Sequence, residues 1–238
     1  MNKYLFESDY SKDSLRWLQS EGAILKPNLS NPEELENFQN KIIADNDSAF
    51  AYFFATSFAY KPHRMQKIIL DNKDAKYAFL FALNVTNSDI KALQKVVVDS
   101  KKAKYICKFA CFIDKADRKP LETIIVKSKN VKYAHMYLKH VKGADVTKFK
   151  DIILSSGKPR YLYELAKHTK SPKELTYIED LIIESKSFTY MRLMAEKIKT
   201  SNIEKLEQAV LDSDNVNEIK KFAKYVKRSK MKRFFLVL

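Results

Sequence analysis

The chain has 238 residues, 45 % hydrophobic and 31 % charged, with 44 lysines and arginines against 29 aspartates and glutamates, a net charge of +15. Only 3 glycines and 6 prolines interrupt it, and no stretch alternates apolar and polar residues as a strand does, so β architectures are excluded and helix is the expected state. No run reaches the roughly 20 apolar residues of a membrane-crossing helix.

The N-terminal "MNKYLFESDYSKD" lacks a basic region followed by an apolar core, which predicts a cytoplasmic protein. Residues 1–31 read as an N-terminal capping segment, with Trp17 and the apolar Tyr4, Leu5, Phe6, Leu15 and Leu18; a terminal unit of a stack has one neighbour only and diverges accordingly. "SNPEEL" from Ser30 is a helix start. Residues 32–238 read as a helical-repeat solenoid of about seven helix pairs and a C-terminal half repeat. A divergent copy spans 35–61, and a second begins at His63. Three copies of 28 residues then begin at Asp89, Asp117 and Asp145, a fourth at Lys173 with one inserted residue, and a fifth at Asn202. In "MKRFFLVL", Met231, Phe234 and Phe235 repeat the first-helix spacing and stop.

Each copy opens with apolar residues at i, i+3 and i+4, such as Leu93, Val96 and Val97, or Leu121, Ile124 and Ile125. That spacing marks one face of a short helix, with Asp89, Asp117, Asp145 and Asn202 placed to cap its N-terminus. A second apolar set follows a recurring serine or asparagine, as in Tyr105, Ile106, Phe109, Ala110 and Ile113, and predicts a second helix. Alanines recur in it at 82, 110, 166, 195 and 223, allowing close helix approach. The tyrosines at 77, 105, 133, 161 and 190 form a ladder read as inter-repeat core, with hydroxyls at its edge.

The repeat, above all "AKYICKFA" and "YLKHVKGAD", resembles short-repeat HEAT-like α-solenoid proteins found among uncharacterised bacterial and viral sequences. The resemblance covers about residues 62–230 and implies an all-α solenoid of antiparallel helix pairs. It brings no catalytic residues.

Charge is unevenly divided. From Asp89 to Lys230 the first-helix segments hold 8 basic and 13 acidic residues, whereas the second helices with their turns hold 24 and 5. Residues 1–60 hold 5 and 9. The second-helix cations fall on the stripe away from the apolar one: Lys104, Lys108, Lys132, Lys139, Lys142, Arg160, Lys167, Lys170, Arg192, Lys199, Lys220, Lys224 and Lys227. Stacking about 8–10 Å apart predicts one row of Lys142, Lys170, Lys199 and Lys227 and a second of Lys139, Lys167 and Lys224, broken by Glu196. Second helices of such stacks commonly line a concave side, and the expected ligand is the phosphate backbone of RNA or DNA. An acidic protein or a nucleoprotein complex is the alternative partner, and no membrane partner is expected. Lysine exceeds arginine, which suits charge contact over base reading. His140 and His168 align beside the lysine rows and are expected to supplement phosphate contact.

No glycine-rich phosphate loop, zinc spacing or nucleophile elbow is present, so the expectation is a non-catalytic protein without cofactor or metal. Cys107 and His135 share one repeat position, with Cys111 a turn away, but no fourth metal ligand is evident. Nor does helical spacing of the two cysteines favour a disulfide. Phe109→Ala and Leu138→Ala are each expected to cost about 2–5 kcal/mol as truncations of buried side chains, measured by chemical denaturation.

Overall fold

A computed structural model describes residues 31–231. The capping segment with Trp17, and Phe234 and Phe235 at the other end, lie outside the described residues, apart from Asn31. Fourteen helices and no strand occur among the described residues. They come in pairs: α1 (Pro32–Asp45) with α2 (Ser48–Phe58), α3 (Pro62–Asp71) with α4 (Ala75–Asn84), α5 (Ile90–Asp99) with α6 (Ala103–Phe112), and α7 (Arg118–Lys127) with α8 (Val131–His140). Then follow α9 (Thr147–Leu154) with α10 (Pro159–His168), α11 (Pro172–Glu184) with α12 (Phe188–Lys197), and α13 (Ile203–Leu211) with α14 (Val216–Tyr225). The chain divides into two units, one up to Leu93 and one from Gln94. Each is an α-solenoid-type stack in which a first helix turns back into an antiparallel second helix. Consecutive second helices pack on one another within each unit: α2 on α4 in the first, and α6 on α8, α8 on α10, α10 on α12 and α12 on α14 in the second.

The turn inside each of the five pairs from α5 onward is built by one serine. Ser100, Ser128, Ser156, Ser185 and Ser213 each donate their hydroxyl to the carbonyl three residues back, at 2.6–2.7 Å. Four of these hydroxyl oxygens also accept the backbone N–H two residues on, from Lys102, Asn130, Lys158 and Asn215. The residue between takes a positive φ: Lys101, Lys129, Gly157, Lys186 and Asp214. Only at Gly157 is it the residue type that adopts this conformation without steric cost.

Helix starts mostly follow the caps read from sequence. Asp89, Asp117 and Asn202 each accept a first-turn amide. Asp145 does not stand at the N-cap, because Val146 already has helical angles; its carboxylate instead takes the amide and hydroxyl of Thr147, at 3.1 and 2.6 Å. The fourth 28-residue-type copy starts from Ser171, whose hydroxyl caps α11, rather than from Lys173. In the first helices of copies 117, 145 and 173 the outer apolar residues of each triplet are buried (Leu121 and Ile125, Phe149 and Ile153, Ile178 and Ile182), while the middle ones are partly exposed.

Neighbouring pairs are tied by a polar clamp that apolar periodicity does not reveal. In α5 the buried Gln94 donates Nε2 to the Asp117 carbonyl and accepts the Asp117 N–H at Oε1, both at 2.9 Å. Gln66 holds Asp89 in the same two-bond way, at 3.4 and 3.0 Å. Gln39 donates to the carbonyls of Tyr60 and Lys61. Further along, Glu179 accepts the Asn202 N–H at 2.8 Å and Glu207 the Lys230 N–H at 3.2 Å. Each of these side chains bonds backbone groups at the start of the next repeat, and the N–H groups among them are of the kind that a helix start leaves without an intrahelical partner.

Two repeats depart from this pattern. Glu122 accepts from the Tyr137 hydroxyl and pairs with Lys148, while Lys150 pairs with Glu174. Beside Lys150 a cavity of about 400 Å³ opens, floored by Leu154, Leu165 and Ile178.

Gln94→Ala removes both bonds to the Asp117 backbone and is expected to cost about 1–3 kcal/mol, measured by chemical denaturation. Glu179 is 1 % exposed, and burial raises its carboxyl above the ordinary pKa of 4.5 despite the Asn202 amide. A raised pKa contributes stability below 4.5 that is lost as pH rises through the folded-state value. Glu179→Gln, able to make the clamp uncharged, is therefore expected to be more stable than the parent at pH 7. The gap should close below pH 4.5, as read from denaturation midpoints across pH.

Candidate functional site

In the unit from Gln94, the second helices present their cations in three settings. At the N-terminal ends of α6, α8 and α10, Lys104, Lys132 and Arg160 are exposed, each one residue before a ladder tyrosine. The Lys104 ammonium lies 5.5 Å from the Tyr105 ring and the Arg160 guanidinium 5.4 Å from the Tyr161 ring. The ladder itself joins neighbouring second helices: His135 meets Tyr161 with ring centroids 5.0 Å apart, and Tyr163 meets Tyr190 at 5.9 Å.

Mid-helix, the basic stripe is broken. Lys108 is 8 % exposed and is not part of an open surface. Its position falls within the close-packed second-helix layer, where the equivalent Glu164 is also buried and Met136 and Leu193 are half-buried. Glu164 gathers two nearby side chains, the Lys167 ammonium at 2.9 Å and His168 Nε2 at 3.3 Å. Arg192 is likewise engaged, 3.4 Å from Glu196 and 5.0 Å from the Tyr225 ring.

The third setting is the C-terminal end. Val141, Thr169, Ile198 and Val226 stop the helices in extended conformation. The three aliphatic caps are buried. Extended backbone turns successive side chains to opposite sides, so Lys142, Lys170, Lys199 and Lys227, which come next, are exposed. Lys139, Lys220 and Lys224 are exposed as well. Among the described residues, Lys132, Lys139, Lys142, Lys170, Lys199, Lys220 and Lys227 carry no ion pair.

First-helix lysines differ. Lys148, Lys150 and Lys205 each reach a carboxylate of another repeat at 2.5 Å: Glu122, Glu174 and Asp180. The first-helix layer holds more carboxylates than cations, and the second-helix layer far fewer.

Beside these lysines stand rings. His140 and His168 were legible as aligned positions; Tyr225, 46 % exposed and at the same position of α14, was not singled out. The strings "KHVK", "KHTK" and "KYVK" from 139, 167 and 224 carried the signal. His140 lies against Phe112 at 5.0 Å, and burial, together with Lys139, lowers its pKa. Cys107 and Cys111 lie with sulfurs 3.9 Å apart and face the backbone carbonyls of Tyr133 and Met136, while His135 faces Tyr161.

No protein family, curated protein or solved structure matches the chain. No helix among the described residues is long and apolar enough to cross a membrane.

For Glu164, burial acts to raise the pKa, but the hydrogen bonds and charge of Lys167 and the bond from His168 outweigh it, and the net shift is downward from 4.5. A lowered carboxyl pKa gives stability that is present above 4.5 and lost as pH falls through the folded-state value. Glu164→Gln is expected to be less stable than the parent at pH 7, with the difference shrinking below pH 4.5 in thermal melts.

Proposed function

We propose that the protein is a cytoplasmic, non-catalytic binder of nucleic acid that holds the phosphate backbone on the second-helix surface between residues 104 and 227. The observation that carries the reading is the row itself: Lys142, Lys170, Lys199 and Lys227 stand exposed at equivalent positions without an ion pair among the described residues, on second helices that hold few carboxylates, whereas Lys148, Lys150 and Lys205 of the first helices reach carboxylates across repeats. A row of cations about 8–10 Å apart suits a polyanion whose charges recur along its length. Lysines make strong but undirected contacts, so binding is sequence-tolerant. Lys132 and Arg160 extend the surface at the opposite end of the helices, and Lys108 is not part of it.

Each neutralised phosphate releases counterions, so log K falls with log salt by roughly 0.7–0.9 per contact. The combined Lys142→Ala, Lys170→Ala, Lys199→Ala and Lys227→Ala variant is expected to bind RNA or DNA more weakly and with a shallower salt slope, measured by fluorescence anisotropy. Lys91→Ala, Lys95→Ala, Lys119→Ala and Lys173→Ala together remove the same charge from exposed first-helix positions. Equal losses in the two variants would refute a localised site. Absence of nucleic-acid binding by the parent at low salt would favour an acidic protein as the partner.

A further inference from the structure

Three second helices end in the same cassette: a lysine, a planar ring as last helical residue, a cap residue in extended conformation and a second lysine. It is "KHVK" in α8, "KHTK" in α10 and "KYVK" in α14. All three rings, His140, His168 and Tyr225, are on exposed residues. Large side chains with an aromatic face in water are costly to keep open, and elsewhere in this layer tyrosines are turned into inter-repeat packing, as Tyr161 is against His135. Tyr225 stays 46 % open although two cations lie near its ring, Arg192 at 5.0 Å and Lys224 at 5.3 Å.

A ring face set between phosphate-binding lysines has no base face to meet on a duplex, whose bases are stacked on each other. An unpaired base has a free face, and stacking on an aromatic side chain is a sequence-tolerant contact that accompanies a basic track. We propose that the cassettes are stacking sites for single-stranded nucleic acid, one base to each ring, with the flanking lysines on adjoining phosphates. The proposal rests on the phosphate-binding reading above and adds to it the strandedness of the ligand. The lowered pKa of His140 agrees with it, since a neutral imidazole stacks as an aromatic plane. In α12 the ring is absent, replaced by Lys197 beside Glu196, so the strand passes that repeat on lysine contacts alone. With repeats about 8–10 Å apart, the three rings span some tens of ångströms, and an oligonucleotide of about 12 residues covers them, within the range of single-strand sites.

The test is an anisotropy titration of the full chain with 12-residue oligouridine, 12-residue oligothymidine and 12-base-pair RNA and DNA duplexes at two salt concentrations. The parent is expected to prefer single strands. Tyr225→Leu, at an exposed position and without change of charge, is expected to weaken single-strand binding about 5-fold or more, leaving the duplex affinity and the salt slope unchanged. Tyr225→Trp retains the binding, and its added fluorescence is quenched by single strands and not by duplex. A loss on oligouridine and oligothymidine alike supports recognition of the shared base and phosphate chemistry; a loss on one alone supports stacking on that strand and identifies it as the ligand. Duplex binding as tight as single-strand binding, with Tyr225→Leu unchanged on every ligand, overturns the stacking sites and leaves the phosphate reading standing. No binding of any of the four by the parent overturns both.

Discussion

The clamp from the middle of one first helix to the beginning of the next is the interaction on which the repeat register depends. A helix start leaves amides without intrahelical partners, and burying such a start between neighbours is costly unless they are satisfied. Gln94 answers with both atoms of its amide, meeting the N–H and carbonyl of Asp117. Apolar packing is tolerant of sliding; a two-point hydrogen bond to one backbone residue is not. Each clamp therefore sets where the following repeat starts, and with it which side chains the second helix turns outward. Where carboxylates take the position, as at Glu179, the register is kept with one bond fewer and a buried charge.

Separation of charge between the two layers follows from that register. Because first helices carry lysines and carboxylates that meet across repeats, pairs such as Lys205 with Asp180 close their charges on themselves. Each such exposed pair is worth little to stability. The second helices, with 24 basic and 5 acidic residues from their turns onward, have no comparable supply of partners. Lysine also occupies the turn positions 101, 129 and 186 at positive φ, where an L-residue costs about 1 kcal/mol relative to glycine.

Much of the fold was legible because a 28-residue period with two apolar faces per copy leaves few arrangements other than stacked helix pairs. The turns were legible too, through the recurring serine. Helix starts were read less well where capping was indirect: Asp145 looks like an N-cap in sequence, yet Val146 begins the helical geometry and the carboxylate serves Thr147. The clamp residues escaped because a glutamine amid lysines and aspartates on a helix face has the same pattern as a solvated residue. Nothing local marks Gln66 or Gln94 as buried.

By itself, the sequence determined that the chain is helical, that its helices pair at a fixed period, and that positive charge gathers in the second of each pair. These depend on residue spacing along one helix, which a chain carries wherever it is. Which of those charges are open was decided only by tertiary structure. Lys108 and Lys139 both lie on the polar stripe of their helices, but the first is buried and the second exposed. Lys148 and Lys170 are equally cationic, but Glu122 of another repeat comes within 2.5 Å of the first and no carboxylate of the described residues pairs with the second. Burial and pairing depend on which repeat lies beside which, a distance set by packing across 28 residues and not by the order of side chains within one helix.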